Sequence, residues 1–460
     1  MTLTRESLLN RYGEAAVSGN ASLLVGAGLS RARGLPSWDE LLAPLRRQAR
    51  IPSGEGDLPL VAQYFTQSVP GGRDVLLNRM GSQLSKTTPS PGEGHKALAR
   101  LPIRTFWTTN YDTLLEQTLP EASVIAKDDQ LRDRALNVSR IVKLHGSLRN
   151  GQWEASPVIT RSDYELYERQ HPRMWHSLQA TYLTQAMLFL GFSFDDPNIE
   201  LLLRLARTTL ELGAPEHFTV LRRPTKPEQQ MAHKHRVRDL EQSGVAVYEI
   251  DAYEELNPLL TDMVRRTRPP ILFIVGSESD TDAALLKACC EALAHNLSDL
   301  DITMSSLSGQ AAKTVKYTMG DRLIREKKYD PRKLVFNYRR PGPEDSSRPP
   351  SIERRIGTIV FSNVEDKYIL RRNLIDECRA VVVLGGGANS DLEVDIATEL
   401  KVPIIPMACS GGAAARAYAK GRGEWVPDES DWALLNVHDA QIAAPAASRL
   451  IKLAMHLKPS

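Results

Sequence analysis

The sequence predicts an α/β protein made of two units, each built on a parallel sheet. Short runs of β-branched residues alternate with helical patterns along the chain, which is typical of helices layered on parallel strands. Two of the predicted strands run into glycine-rich turns, one near residue 26 and one near residue 385. Between the units, residues 265–270 form a charged, proline-ended stretch that favours a linker. We therefore expect domains at residues 1–267 and 268–460.

The composition is that of an ordinary soluble globular protein, with 42% hydrophobic and 25% charged residues among 460. A formal net charge of +2 gives no strong attraction to nucleic acid or to an anionic membrane, so we expect neither as a partner. The first residues are charged and lack the apolar core of a signal peptide, and no apolar run is long enough to span a bilayer. A cytoplasmic location is expected.

In the first unit, apolar β-branched runs predict strands at residues 21–25, 105–108, 140–144, 186–190, 218–221 and 245–250. Between the first two, Trp38, Leu41, Leu42 and Leu45 recur at helical spacing. Residues 253–266 predict a closing helix.

In the second unit, residues 271–277 predict a buried strand that runs into a turn. A helix is expected around residues 282–293, with strands near 358–361, 380–384 and 403–407. Residues 339–350, rich in proline, charge and serine, predict an exposed loop.

The turn after the first strand has the composition of a phosphate-binding loop. Gly26 and Gly28 allow the backbone to bend sharply and to approach a pyrophosphate, whose charge backbone amides meet. This signal is weak by itself, because glycines also occur in ordinary turns.

Three further motifs follow in order, together with the continuation of the first turn through residues 30–42. They are Thr-Thr-Asn-Tyr-Asp at 108–112, Lys-Leu-His-Gly-Ser at 143–147, and Leu-Phe-Leu-Gly-Phe-Ser-Phe-Asp-Asp-Pro-Asn at 188–198. This series is similar to the motifs of sirtuins, in the form found in bacterial sirtuin-like hydrolases. The resemblance spans about 250 residues and implies a Rossmann-like NAD-binding domain.

The sirtuin resemblance implies a role for individual residues. Asn110 and His145 would be catalytic, and Asp112 would face the nicotinamide carboxamide. The remaining NAD contacts would come from the glycine turns, from Gly26, Ala27, Gly28 and Ser30 at the phosphates and from Gly191, Ser193 and Asn198 at the adenosine half. Two alternatives stay open: Asn110 can serve a turn, and Ser193 or Asn198 can cap the next helix.

Cleavage of NAD suits these residue types. The nicotinamide of NAD leaves as a neutral group, so the glycosidic bond breaks without the general acid that paired carboxylates supply in glycosidases. His145 can hydrogen-bond the ribose hydroxyls and act as a base, while Asn110 can orient the ribose or an attacking water through its amide.

The chain departs from sirtuin deacetylases in its cysteines. Those enzymes hold structural zinc with two C-x-x-C pairs, whereas residues 148–190 here contain no cysteine. The four cysteines lie at positions 289, 290, 378 and 409 and are expected to be small buried residues. No metal is therefore expected, and water would be the acceptor.

The second glycine turn, in the stretch Ala-Val-Val-Val-Leu-Gly-Gly-Gly-Ala-Asn-Ser-Asp-Leu-Glu at 380–393, resembles the SLOG domains of the LOG and DprA-like group. The resemblance implies a Rossmann-like nucleotide-binding domain. Its ligand contacts would come from the two turns, two arginines and an acid: Gly276, Ser277, Arg371, Arg372, Gly385, Gly386, Gly387 and Glu393. A capping box of Ser390 with Glu393 is the alternative for that acid.

A sirtuin-like domain followed by a SLOG domain resembles the NAD-hydrolysing effectors of Thoeris anti-phage systems. That resemblance implies activation by a cyclic ADP-ribose isomer made by a TIR-domain partner enzyme, NAD depletion in infected cells, and a homo-oligomer, commonly a tetramer. Ala388 stands where a basic side chain would be expected beside the turn. The alternatives are an NAD-binding sensor without turnover and a nucleotide phosphoribohydrolase in the second domain.

Overall fold

A computed structural model describes residues 3–52, 55–132, 138–192, 194, 196–209, 215–307, 309–339, 356–423, 425–426 and 429–456. The chain forms two compact units, Met1–Thr267 and Arg268–Ser460. Among the described residues, each helix is too short or too polar to cross a membrane.

The first unit is built on a parallel sheet. Within the described residues its seven strands follow the order β3-β4-β2-β1-β7-β8-β9, and a short antiparallel hairpin, β5 with β6, lies apart from it. The strands are β1 (Ala21–Val25), β2 (Thr105–Thr108), β3 (Ser123–Ile125), β4 (Arg140–Lys143), β5 (Leu148–Arg149), β6 (Gln152–Trp153), β7 (Ala186–Leu190), β8 (His217–Arg222) and β9 (Val245–Ile250). All six predicted strands are present, whereas β3 and the hairpin were not predicted.

Helices cover both faces of this sheet. They are α1 (Arg5–Val17), α2 (Ala27–Arg31), α3 (Trp38–Gln48), α4 (Leu58–Ser68), α5 (Gly72–Leu84), α6 (Glu93–Ala99), α7 (Leu114–Thr118), α8 (Arg161–Glu165), α9 (Tyr167–Gln170), α10 (Pro172–Thr184), α11 (Pro197–Thr209), α12 (Pro227–Gln242) and α13 (Leu256–Thr267). One core packs α1, α6 and α13 against the sheet, and a second packs α10 and α11 against the opposite face. The sheet is buried on both sides, as apolar parallel strands require.

The linker in the structure is shorter than the predicted stretch, residues 265–270. Residues 265–267 form the last turn of α13, and the Arg266 guanidinium lies 2.9 Å from the Glu6 carboxylate. This pairing with α1 extends the helix into the charged stretch, so that only residues 268–270 precede the next strand.

The described part of the second unit has a parallel sheet of six strands in the order β13-β12-β11-β10-β14-β15. The strands are β10 (Ile271–Val275), β11 (Thr303–Ser306), β12 (Leu334–Arg339), β13 (Thr358–Ser362), β14 (Ala380–Val383) and β15 (Ile404–Pro406). The helices are α14 (Ala283–Leu297), α15 (Gln310–Arg325), α16 (Lys367–Asp376), α17 (Ala388–Glu399), α18 (Gly412–Ala419), α19 (Glu429–Leu434) and α20 (Ala440–Met455). Strands β11 and β12 were not predicted. Of the predicted loop 339–350, Arg339 ends β12 and the rest lies outside the described residues.

Both sheets reverse their strand order beside the glycine turns. In the first unit the chain moves from β1 outward through β2 and then returns to β7 on the other side of β1. In the second unit β10 has β11 on one side and β14 on the other. The crevice at the carboxyl ends of such strands is where α/β proteins bind ligands. The predicted α/β class with parallel, Rossmann-like sheets is thus confirmed.

Candidate active site

Strand register places Asn110 beside His145. Thr108 of β2 pairs with Lys143 of β4, and each candidate residue follows its paired strand residue by two positions. Because parallel neighbours lie about 4.8 Å apart and end at the same edge, both residues emerge together at the carboxyl edge. Asn110 is 9% exposed and His145 only 2%.

A hydrogen-bond network determines the orientation of the Asn110 amide. Its Nδ2 donates to the backbone oxygen of Gly26 at 3.1 Å and to Ser30 Oγ at 3.0 Å, and Ser30 Oγ donates to Asp112 Oδ2 at 2.7 Å. The Gly26 oxygen can only accept, so the amide nitrogen must face it. Asn110 Oδ1 is left buried without a partner among the described residues.

The glycines of the first turn are required by contact between two loops. Gly26 N donates to Leu190 O at 2.8 Å and Gly28 N donates to Gly191 O at 2.9 Å. A Cβ atom at Gly26 would lie 2.6 Å from Gly191 O, and one at Gly28 would lie 2.7 Å from Gly191 Cα. Two amides predicted to meet a phosphate therefore already bind protein carbonyls. Within α2 the N–H of Ala27, as first residue, has no helical partner.

His145 lies among aromatic rings. The Tyr164 ring meets it edge to face with centroids 5.2 Å apart, and the Tyr167 ring does so at 6.3 Å. Burial lowers the pKa of His145, and the nearby Asp196 carboxylate partly offsets this. The neutral imidazole that a base requires is therefore favoured. Its Nε2 has no hydrogen-bond partner in the described part of the chain.

Asp196 is a site residue that the sequence reasoning missed. Its Oδ1 accepts from the backbone N–H groups of Asn198 and Ile199 at 3.0 and 3.3 Å, capping α11, and its Oδ2 lies 3.6 Å from His145 Nε2. An Asp directly before a proline at the first helical position was the available signal. Because Asp196 caps the helix, Asn198 does not need to. Asn198 Nδ2 is buried, with no partner among the described residues.

Two predicted residues of the first unit remain, Asp112 and Ser193. Asp112 lies in the Asn110 network and also accepts from Leu114 N at 3.0 Å, so its carboxylate helps to hold the loop after β2. Ser193 lies outside the described residues.

Within the described ranges, no group of three His, Cys, Asp or Glu side chains is arranged to hold a metal ion.

In the second unit, the buried Glu393 pairs with the partly buried Arg371. Arg371 Nε donates to Glu393 Oε1 at 3.1 Å, and the same arginine donates to Asn389 at the start of α17. Burial raises the pKa of Glu393, and Arg371 acts in the opposite direction. The capping-box alternative is wrong: Gly387 is the N-cap of α17, and both Ser390 and Glu393 lie inside the helix.

The two predicted arginines face different ends of α17. Arg372 pairs with Glu399 in the last turn of that helix at 2.9 Å, and its side chain is 42% exposed. Arg416, which the sequence reasoning missed, donates to the backbone oxygen of Gly386 at 3.1 Å and to Asp391 at 2.8 Å. Of these arginines, Arg371 and Arg416 lie by the glycine turn and Arg372 does not.

The second turn is also shaped by close backbone contact. A Cβ atom at Gly276 would lie 1.9 Å from Leu384 O, and Gly385 N donates to Ser410 Oγ at 2.8 Å. Gly385 and Gly386 have φ angles of +60° and +103°, which glycine adopts without strain. The turns after β10 and β14 thus meet at the reversal point of this sheet.

Comparison with known proteins agrees with the first site. Residues 104–247, which include Asn110, His145 and Asp196, match the family model described as the SIR2-like domain. Residues 104–247 are therefore similar to SIR2-like domains. The resemblance to sirtuins is confirmed.

Several proteins similar to this chain are named as NAD hydrolases. The chain is 33% identical over 304 residues to NAD(+) hydrolase ThsA of Enterococcus faecium, covering 60% of this chain and 62% of that protein. It is 28% identical over 292 residues to NAD(+) hydrolase ThsA of Bacillus cereus, covering 59% and 60%. Defense-associated sirtuin 2 of Bacillus subtilis matches over 204 residues at 24% identity, covering 42% of this chain and 20% of that protein. The chain spans about three fifths of the length of the ThsA relatives it matches.

Proposed function

We propose that the SIR2-like unit hydrolyses NAD+ to nicotinamide and ADP-ribose. The observation that carries the proposal is a set of buried polar atoms that lack partners among the described residues: Asn110 Oδ1, His145 Nε2 and Asn198 Nδ2. Buried polar groups are normally hydrogen-bonded. An amide oxygen, an imidazole nitrogen and an amide NH₂ group at one edge of the sheet suit a polyhydroxylated ligand such as a dinucleotide. The names of the ThsA relatives support NAD as that ligand.

In the proposed reaction each of these residues has one step. Asn110 Oδ1 accepts from a ribose hydroxyl or from the attacking water, because its Nδ2 is already committed to Gly26 and Ser30. Neutral His145 takes a proton from the attacking water while the water oxygen forms a bond to the anomeric carbon of the ribose. The glycosidic electron pair leaves with nicotinamide and neutralises the pyridinium ring. Asp196 stabilises the imidazolium so formed.

Nicotinamide release by purified Asn110→Ala and His145→Ala tests the assignment. Each should lower kcat by about a hundredfold or more, as loss of a base or an orienting group does. His233→Ala is the control, since that histidine pairs with Glu249 instead. Wild-type turnover by His145→Ala would contradict the catalytic role. Binding of NAD by the wild type without nicotinamide release would favour the sensor alternative.

We further propose that the second unit is a SLOG domain that gates this activity in anti-phage defence. Supporting features are the paired turns at the reversal of its sheet and the partly buried Arg371 beside them. The ligand would be a cyclic ADP-ribose isomer made by a TIR-domain partner enzyme. It would activate the enzyme by binding more tightly to the active state than to the resting state. The protein would form a homo-oligomer, such as a tetramer.

Arg371→Ala and Arg372→Ala form a matched pair for this proposal. Activation of NAD consumption by cyclic ADP-ribose isomers should be lost in Arg371→Ala and kept in Arg372→Ala, which pairs at the far end of α17. Because the first change leaves Glu393 buried without its partner, Arg371→Ala/Glu393→Ala is measured beside it. Activation that survives in Arg371→Ala and in the double variant would contradict the gating site.

A further inference from the structure

Lys143 lies on β4 two residues before His145, and its side chain is fully buried. Its ammonium group donates to Glu116 Oε1 at 2.7 Å and to the backbone oxygen of Tyr111 at 3.3 Å, and it also contacts the backbone oxygen of Asp112. An ammonium has three N–H donors, so all of them are used inside the protein. We propose that Lys143 is a positioning residue for Asn110.

The three acceptors show what Lys143 holds. Tyr111 and Asp112 directly follow Asn110 on the segment that connects β2 to α7, and Glu116 lies on α7 itself. One ammonium group therefore joins β4, this segment and the helix after it. Asn110 reaches Gly26 and Ser30 only while the segment keeps this course. Fixing it from the β4 side sets the direction of the Asn110 oxygen beside His145.

Stability alone gives no reason for a lysine here. A buried ion pair commonly stabilises a fold no more than a well-packed apolar pair of similar volume does. What an apolar pair cannot do is hold the segment by its carbonyls. The Tyr111 oxygen also accepts from Leu148 N at 2.9 Å, so Lys143 adds a second attachment there and reaches the Asp112 oxygen as well. Lys143 is 0% exposed, so it acts through Asn110 rather than by touching a substrate.

Lys316 of the second unit provides a matched control. It is also fully buried, its Nζ contacts the backbone oxygen of Val335, and it lies 3.9 Å from the centroid of the Phe336 ring. Replacing it by methionine removes a buried amine of the same kind without touching the segment that bears Asn110.

The test rests on the proposed NAD hydrolysis and uses the full chain. In Lys143→Met, kcat should fall by about a hundredfold, as small misplacements of reacting groups cause, while KM changes by less than about threefold. In Lys143→Met/Glu116→Leu no carboxylate is left unpaired, so the melting temperature should rise above that of the single variant while kcat stays low. Lys316→Met should keep wild-type kcat.

Two results would overturn the proposal: unchanged kcat in Lys143→Met, or recovery of both stability and kcat in the double variant, which would make the pair structural only. A crystal structure of the double variant tests the positioning role of Lys143 independently of whether the protein hydrolyses NAD. Positioning requires that Asn110 Nδ2 has left hydrogen-bonding distance of Gly26 O, and that holds whether or not the wild type cleaves NAD. Should the contact persist, Lys143 does not position Asn110.

Discussion

Replacing Gly191 by alanine should push apart the two loops that form the NAD crevice. Gly191 has a φ angle of +73°, and its Cβ would lie 2.8 Å from Leu29 N and 3.0 Å from both Gly26 O and Gly28 N. These are backbone atoms, so no side chain can rotate to make room. The loops after β1 and β7 must separate instead, and the Asn110 contact to Gly26 O is lost with them.

The expected cost has two parts. A left-handed residue with a Cβ atom costs about 1–2 kcal/mol. Loss of the bonds from Gly26 N to Leu190 O and from Gly28 N to Gly191 O adds about 1 kcal/mol for each. The free energy of unfolding should therefore fall by about 3–4 kcal/mol.

Two control variants separate these parts in urea unfolding followed by tryptophan fluorescence. Gly19→Ala, at a φ angle of +76° with no atom of the described residues within 4 Å of its Cβ, should show the left-handed cost alone. Gly26→Ala, at a φ angle of −104° but 2.6 Å from Gly191 O, should show the contact cost alone. NAD consumption should fall in Gly191→Ala and Gly26→Ala and persist in Gly19→Ala. A Gly191→Ala protein as stable as Gly19→Ala would refute the loop contact.

Three further outcomes are expected. Asp196→Asn removes the carboxylate that raises the pKa of His145, so the acid limb of the kcat/KM profile should move to lower pH; an unmoved limb would contradict their pairing. Burial lowers the pKa of His217 to about 3. The folded state then binds fewer protons than the unfolded state between pH 3 and 6.5, so stability should fall by about 2 kcal/mol from pH 7.5 to pH 5. His217→Asn keeps an acceptor for Met187 N, and its stability should fall by about 2 kcal/mol less over the same pH range. An identical dependence of stability on pH in the variant and the wild type would refute the lowered pKa of His217. Activity should persist in a chelator, and loss of stoichiometric zinc together with activity would contradict a metal-free site.

Much of the fold could be predicted because its information is local. A buried parallel strand is a short apolar run, and each predicted strand of the first unit appears in the structure within one residue of its expected bounds. Some of the missed strands carry a weaker local pattern, whereas β12 reads Leu-Val-Phe-Asn-Tyr-Arg, an apolar run that the prediction overlooked. Strand β3 has three residues, and β11 reads Thr-Met-Ser-Ser, so neighbouring strands rather than propensity make them extended.

The residue types of the site were also readable in the sequence. Asn110 and His145 follow strand ends in a recognisable order, and the register of β2 with β4 brings them together. Their partners were not readable, because hydrogen bonds such as those of Asn110 with Gly26 and Ser30 join residues 84 and 80 positions apart.

The sequence by itself determined the order of strands, helices and glycine turns, and which side chains stand at the strand ends. Only the tertiary structure decided what each of these groups does. The glycines of the first turn proved to be required by Gly191, which is distant in the chain and adjacent only because β7 pairs with β1. Asp196 faces His145 for the same kind of reason. Sheet order brings distant strand ends to one edge, and a contact made across that edge leaves no periodic trace in the chain.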